Sequence, residues 1–186
     1  MIEALRHGTK KAEIHWGDEL GLRSDHQAGR SYGRRGQTLI PGTAQRFRGK
    51  LLSTITNRGD LSLMLFKERF NGPLFLRFLR RLLRQRQRKL FLIMDRHPLH
   101  RAAAVKRWLG RHADRLRLFF LPAYSPDLNP DEYLNQDVKS NALGRQRPPD
   151  QPTMMRNVRS YLWSTQPQPE IVQSYFHHQS VTYAAM

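Results

Sequence analysis

Cysteine is absent from the 186 residues. That excludes a disulfide framework and a thiolate-bound zinc, and it fits a reducing compartment. No apolar run approaches the ~20 residues needed to cross a bilayer, and the first residues lack the unbroken apolar stretch of a secretory signal. The expectation is a cytoplasmic protein with no membrane partner. Acidic residues are also scarce: 15 Asp and Glu stand against 32 Lys and Arg, a formal charge of +17, with an isoelectric point near 11.2. Such an excess of one sign repels itself in a compact fold, and a polyanionic partner is the usual reason to tolerate it. Nucleic acid fits best, because neutralising phosphates releases counterions. An anionic membrane surface fits less well, since arginine is spread along the whole chain. The remaining composition, 39% hydrophobic and 25% charged, is that of a soluble globular domain with its own core.

Hydrophobic periodicity divides the chain into short elements. Ala12 to Leu22 reads as a strand, with Ile14, Trp16, Asp18 and Leu20 on one face. Gly29 to Lys50 is rich in Gly and Arg and reads as turns joining short strands. Leu51 to Thr56 and Leu61 to Phe66 form a hairpin pattern around Asn57-Arg58-Gly59-Asp60. Pro73 then opens a helix to about Lys89, with Phe75, Leu79, Leu82 and Leu83 on one side and Arg77, Arg80, Arg81, Arg84 and Arg88 on the other. Lys89 to Met94 is the apolar run of a buried strand. A helix from His100 to His112 with Val105, Trp108 and Leu109 inward, a strand from Leu116 to Leu121, and a helix from about Pro130 to Leu143 follow. Arg145 to Pro152 reads as a linker, and helices around Thr153 to Ser164 and Pro169 to His177 finish the chain. Met154, Met155, Trp163 and Phe176 are expected to pack there. The order implies an α/β fold: an antiparallel meander followed by parallel strands in one mixed sheet, flanked by helices. Residues 1–144 are read as the main domain and 145–186 as a linker with helices packing on it.

Three acidic positions draw attention. Asp95 directly follows the apolar run, so its carboxylate emerges at the C-terminal end of a buried strand, where ligand sites of open α/β sheets lie. By itself it would serve equally as a cap for the next element. Asp18 and Glu19 are adjacent on a strand and must face opposite ways, so only one can join a given site. Asp18 shares a face with apolar residues, where an unpartnered carboxylate is costly and a compensating ion would help. Glu132 fits a capping box, with Asn129 as N-cap and Pro130 as the first helical residue. Carboxylates within a strongly basic chain suit phosphodiester cleavage: a pair of Mg²⁺ ions, or Mn²⁺ in their place, is held by carboxylate oxygens, while Arg and Lys hold the nucleic acid. His97 and His100 flank Asp95 and are read as caps or surface residues. The arginine face of the Pro73–Lys89 helix is read as a phosphate-backbone contact.

The stretch from Leu121 to Glu132, LPAYSPDLNPDE, closely resembles the LPxYSPxLNPxE signature of DDE transposases of the mariner-like superfamily, and specifically their bacterial insertion-sequence branch. The run LFLIMD ending at Asp95, with His100-Arg101 beyond it, resembles the second-aspartate block. IHWGDELGLRSD resembles the first-aspartate block, and Gly29 to Tyr32 with Arg35-Gly36 the segment after it. The resemblance implies an RNase H-like fold, metal-dependent DNA cleavage and strand transfer, and a triad of Asp18, Asp95 and Glu132 binding Mg²⁺. It implies double-stranded DNA as partner (element ends and target), with the protein acting as a homodimer on DNA in the bacterial cytoplasm, at the nucleoid. Pro122, Tyr124, Ser125, Pro126, Asn129 and Pro130 would shape the turn that delivers Glu132, and Arg35 would join the helical arginines in DNA contact. Arg96 stands where the family often has Asn, and would neutralise Asp95 or touch DNA. Relatives carry helix–turn–helix segments ahead of the catalytic region, whereas the first strand here starts almost at once. A split or truncated transposase is therefore expected, with end recognition from an upstream part or separate subunit; a copy that binds DNA without cutting is the alternative.

Overall fold

The structure is a computed structural model that describes residues 12–25, 46–144 and 148–185. Among the described residues, five strands form one sheet: β1 (Ala12–Arg23), β2 (Arg48–Ile55), β3 (Leu61–Phe66), β4 (Lys89–Met94) and β5 (Leu116–Phe120), in the order β3-β2-β1-β4-β5. β1, β2 and β3 are joined antiparallel, while β4 lies parallel to β1 and β5 parallel to β4. This is the mixed, RNase H-like sheet anticipated above. The β2–β3 turn depends on Gly59, whose φ of 90° suits a residue without a Cβ. A Cβ there would also meet Pro169 at 2.4 Å.

Period-two alternation sends successive strand residues to opposite faces, and each face carries its own core. On one face Trp16, Leu20, Leu51, Ile55 and Ile93 pack against α3 (Asp131–Asp137), α4 (Gln151–Thr165) and the segment that follows. On the other, Leu52, Met64, Leu90, Leu92 and Met94 pack against α1 (Gly72–Gln85) and α2 (Ala103–Arg111). Asn71 caps α1 by accepting from the Leu74 N–H at 2.9 Å, and Pro73 occupies its first turn. Leu74, Phe75, Phe78, Leu79 and Leu82 supply its buried stripe.

Several boundaries differ from the sequence expectation. β2 starts at Arg48, inside the stretch read as turns, because Arg23 to Leu20 extend β1 alongside it. Residues 29–45 of that stretch, including Arg35 and the Gly29 to Gly36 motif, lie outside the described residues. α1 ends at Gln85, since Arg86 takes extended backbone and its Nη1 reaches Asp60 at 2.7 Å. Arg88 is therefore off the helix, exposed in the turn before β4. The helix expected from His100 is two pieces, a 3₁₀ turn (Pro98–Arg101) and then α2, with Ala102 non-helical between them. α3 continues into a π-helical turn, Val138–Leu143. α4 starts at Gln151, two residues earlier than expected, because Asp150 caps it by accepting from Thr153 N at 2.7 Å. Beyond α5 (Pro169–Ser174), 3₁₀ turns Tyr175–His177 and Gln179–Ala184 continue the chain. Trp163 does not pack as expected: it is 61% exposed, with the Arg159 guanidinium 5.9 Å above its ring.

Met154, Met155, Val158, Leu162 and Phe176 are all buried against the sheet. Leu162→Ala is expected to cost about 2–5 kcal/mol, read as a lower urea midpoint. An unchanged midpoint would mean that α4 is not part of the cooperative core.

Candidate active site

β1 and β4 pair in parallel with Trp16 opposite Ile93. Two residues further along each strand stand Asp18 and Asp95, so the ladder brings both carboxylates to one face of neighbouring strands. Asp18 is half-buried and Asp95 lies beyond the strand end with its side chain 53% exposed. Glu132 enters from the first turn of α3. The three, with Arg96, His97 and Arg101, line one cavity of about 550 Å³ whose wall is the Leu121–Pro126 loop and Asn129. Glu19 points the other way, and its Oε1 pairs with Lys50 Nζ at 2.5 Å. The strand geometry thus separates the two acidic neighbours, leaving Asp18 in the cleft.

Asp18 is held by polar contacts: Asn135 Nδ2 donates to its Oδ2 at 2.8 Å and the Glu19 N–H to its Oδ1 at 2.8 Å. Burial, then the neighbouring Glu132 carboxylate, push its pKa up to about 8, with a smaller contribution from Asp95. The Asp18 and Glu132 carboxyls face the same cavity, where repulsion from Glu132 disfavours ionisation of Asp18. At Asp95, burial acts upward but is outweighed by His100, by the His97 N–H at 3.1 Å and by the nearby imidazoles, so its pKa lies below the usual range. His100 is buried, with Nδ1 3.2 Å from Asp95 Oδ1. Both histidines therefore position Asp95. Arg96 is exposed, and its Nε donates to Leu121 O at 3.0 Å; the ion pair with Asp95 that its position suggested is not formed.

Glu132 does not act as the capping-box partner that its spacing suggested; it turns into the cleft. The start of α3 is fastened by other groups. Asn129 accepts from the Asp131 N–H at 3.2 Å while its Nδ2 donates to Gly17 O at 3.2 Å, so one side chain caps the helix and ties it to β1. Asp131 is fully buried and accepts from Ser53 Oγ at 2.7 Å. Burial, with the Asp18 charge adding to it, raises the Asp131 pKa well above the carboxylate range. Asp131, Asn135 and Ser53 escaped the sequence reading. The four-residue spacing of Asp131 and Asn135 puts them on one helix face and could have signalled them; Ser53 becomes visible only once the register places it beside Asp18.

The motif loop itself is stiff. Pro122 and Pro126 flank Tyr124, which is fully exposed with φ 57°, a left-handed conformation that costs about 1–2 kcal/mol. Ser125 Oγ donates to Ala123 O at 3.3 Å, and Pro130 precedes the first turn of α3. Behind it, the Tyr183 hydroxyl donates to Leu128 O, and Tyr183 meets Trp16 edge-on at 5.5 Å. The 3₁₀ segment near the chain end thus buttresses the loop that carries Glu132. Arg77, Arg80, Arg81 and Arg84 lie exposed along α1.

The donor set is all hard carboxylate oxygen, and a divalent cation would relieve the repulsion between Asp18 and Glu132, so these residues fit Mg²⁺. Among the described residues, no three acidic or histidine side chains are drawn together tightly enough to ligate one ion as they stand; ligation would require the three carboxyls to close on one another.

Residues 13–155 match the family model of the DDE superfamily endonucleases, and the chain belongs to that family. Among solved structures, the chain is similar to the Mos1 strand transfer complex at 23% identity, over 98% of this chain and 56% of the Mos1 chain, with a TM-score of 0.71. Against the Mos1 mariner paired-end complex with Mn the figures are 22%, 98%, 56% and 0.70. Against the catalytic domain of Mos1 mariner transposase they are 20%, 98%, 84% and 0.63. These likenesses show the fold, and the chain spans little more than half the length of the first two. No curated protein matches the sequence.

Removing the Asp18 charge is expected to stabilise the fold in the absence of divalent ions. The Asp18 pKa is raised, so its contribution is favourable at acid pH and is lost as pH rises through about 8. Asp18→Asn should raise the melting temperature at pH 8 in EDTA, by a gain of about 1–2 kcal/mol, and flatten that pH dependence. Mg²⁺ should stabilise the wild-type chain and not the variant. A variant that melts lower at pH 8 and still responds to Mg²⁺ would refute the assignment.

Proposed function

We propose that this DDE superfamily endonuclease is the catalytic part of a DNA transposase of the bacterial insertion-sequence branch. It would cut at element ends and transfer the freed strand to target DNA, with Asp18, Asp95 and Glu132 holding Mg²⁺, or Mn²⁺ in its place. The observation that carries this reading is the convergence of the three carboxyls, from β1, the end of β4 and the start of α3, on one cavity in a chain of charge +17. Bound Mg²⁺ would supply activation of the attacking oxygen and stabilisation of the leaving one. The residues supply the rest. Asp18 and Glu132 would offer carboxylate oxygens to the cation, which would offset their mutual repulsion. The His97 N–H and His100 hold Asp95 ionised. Arg96 and Arg101, at the cleft wall, are placed to pair with phosphates flanking the one being cut. Asn129, Ser53 and Asn135 keep the helix that bears Glu132 in register with β1.

Several finer points belong to the same proposal. Residues 1–144 form the catalytic domain and 145–186 a linker and helices packing on it. Pro122, Tyr124, Ser125, Pro126, Asn129 and Pro130 shape the loop that presents Glu132. Arg77, Arg80, Arg81, Arg84, Arg88 and Arg35 contact the backbone of double-stranded DNA. Mos1 has been solved in paired-end and strand transfer complexes, and a homodimer on DNA is proposed by analogy. End recognition would come from a helix–turn–helix part or a separate subunit. The site of action would be the bacterial cytoplasm, at the nucleoid; among the described residues, no helix is long and apolar enough to cross a membrane. The second reading, a DNA-binding remnant that does not cut, draws on the exposed Arg96 cation next to Asp95 and on the open spacing of the three carboxyls.

A nicking assay separates the two. With supercoiled DNA or cognate ends, Mg²⁺ or Mn²⁺ and any upstream partner, the chain should nick. Asp95→Asn and Glu132→Gln should each lower the rate by at least about a hundredfold while leaving salt-sensitive DNA binding intact. Absence of nicking with either ion would favour the remnant.

A further inference from the structure

The opposite pole of the sheet holds a second concave surface. A cavity of about 580 Å³ opens where α1 and α2 end and where β4 and β5 begin, walled by Arg80, Arg84, Arg86 and Arg115 with Trp108 and His112. Among the described residues, no acidic side chain lines it. Chain direction fixes its place: β4 starts beside this cavity and ends at Asp95, and its six residues at ~3.3 Å each separate the two sites by about 20 Å.

The cavity is built rather than incidental. Arg115 Nη2 donates to Arg86 O at 2.8 Å and to Leu83 O at 3.3 Å. It thereby satisfies carbonyls at the end of α1 that would otherwise oppose an anion there. Arg86 Nη1 pairs with Asp60, which lies outside the cavity lining, so the Arg86 charge is largely spent. The Trp108 and His112 rings stack at 4.0 Å and fix the opposite wall. Arg80 and Arg84 stand on the rim, exposed, and among the described residues neither joins an ion pair. Among the described residues, three guanidiniums thus have no counter-charge around one concavity, two of them exposed on its rim.

α1 connects this cavity to the cleft. Its beginning lies beside the site, where Phe70 meets His97 at 5.6 Å and Phe75 meets His100 at 4.6 Å. Its end is the cavity wall, and 14 residues at ~1.5 Å give about 21 Å between them. Arg77 and Arg81 are exposed along the way.

We propose that the cavity is a second phosphate-binding site, which seats the backbone of the same DNA duplex that enters the carboxylate cleft. At ~3.4 Å per base pair the seated phosphate lies about six base pairs from the one being cut. This rests on the reading of the cleft as a DNA-cutting site. The site anchors the duplex away from the chemistry, so that the acidic cluster need not itself attract the polyanion. A regularly spaced polyanion fits better than a single small anion, because the cations form a track and not one pocket.

The test uses the full chain carrying Asp95→Asn, so that nothing is cut, with a labelled duplex followed by anisotropy across salt concentrations. Arg80→Gln with Arg84→Gln, both at exposed positions, should leave the melting temperature unchanged. The double variant should reduce the slope of log affinity against log salt by about 1.8, roughly a tenfold change in the affinity ratio between 50 and 200 mM salt. Single methylphosphonates scanned along the duplex should weaken the parent at one position that no longer matters in the double variant, about six base pairs from the nick made by the chain with Asp95 intact. An unchanged slope, or methylphosphonate effects identical in both proteins, would overturn the site. Nicking by the Asp95-intact chain reports separately on the cleft, so the failure of one reading is distinguishable from failure of the other.

Discussion

β1 and β4 run parallel in a fixed register with Trp16 facing Ile93, and just beyond that pair both strands present an aspartate. Everything the cleft can do depends on this ladder. A slip of one residue would turn Asp95 to the opposite face, under α1 and α2, while Asp18 stayed where it is. The slip is resisted because it would also exchange the two cores: Leu90, Leu92 and Met94 belong to one, Ile93 to the other. The hydrophobic pattern that holds the sheet together is therefore the same device that aligns its carboxyls.

Bringing Glu132 to that pair is a harder problem, since α3 must deliver a third acidic group toward two others. Its approach is held by polar contacts and not by ion pairs. Asn129 ties the helix start to Gly17, Asn135 reaches Asp18, and Ser53 donates to an Asp131 whose pKa burial raises well above its ordinary value. Each bond is sheltered from water, where leaving a partner unmatched costs more than in solvent. The segment after α4 adds a brace from behind through Tyr183 and through Tyr133, whose ring stacks on His178 at 3.8 Å and whose hydroxyl meets Ser180 Oγ at 2.8 Å.

The mixed sheet and the place of Asp95 at a strand end were legible from periodicity, because alternation and an apolar run ending in a carboxylate are local patterns; the spatial strand order was not. Asp18 over Glu19 was half legible: adjacency on a strand forces opposite faces, but only the pairing of Glu19 with Lys50 shows which face is the site. Glu132 read locally as a helix cap, and the motif around it suggested otherwise. The cap role falls to Asn129, whose two hydrogen bonds join elements far apart in sequence. Ser53 and Asn135 were invisible for the same reason, since their meaning exists only across a register. Helix ends were misjudged where a single side chain turns inward, as Arg86 does toward Asp60, because periodicity carries no information about where a tertiary ion pair interrupts it.

Charge placement explains how a chain of +17 keeps an acidic cluster available. Arg96 sits one residue from Asp95, yet its Nε is occupied by the carbonyl of Leu121. Arg86 is drawn to Asp60 and Glu13, at 2.7 and 3.8 Å, on the far side of the sheet. The helical arginines point outward. So, among the described residues, no arginine pairs with Asp18 or Glu132. A guanidinium in that position would satisfy the carboxyls permanently, and the cleft would lose its demand for a cation from solution. Keeping the positive charge on the rim and along α1 preserves that demand while still offering a polyanion a surface, which is how opposite electrostatic requirements can coexist within a single small domain.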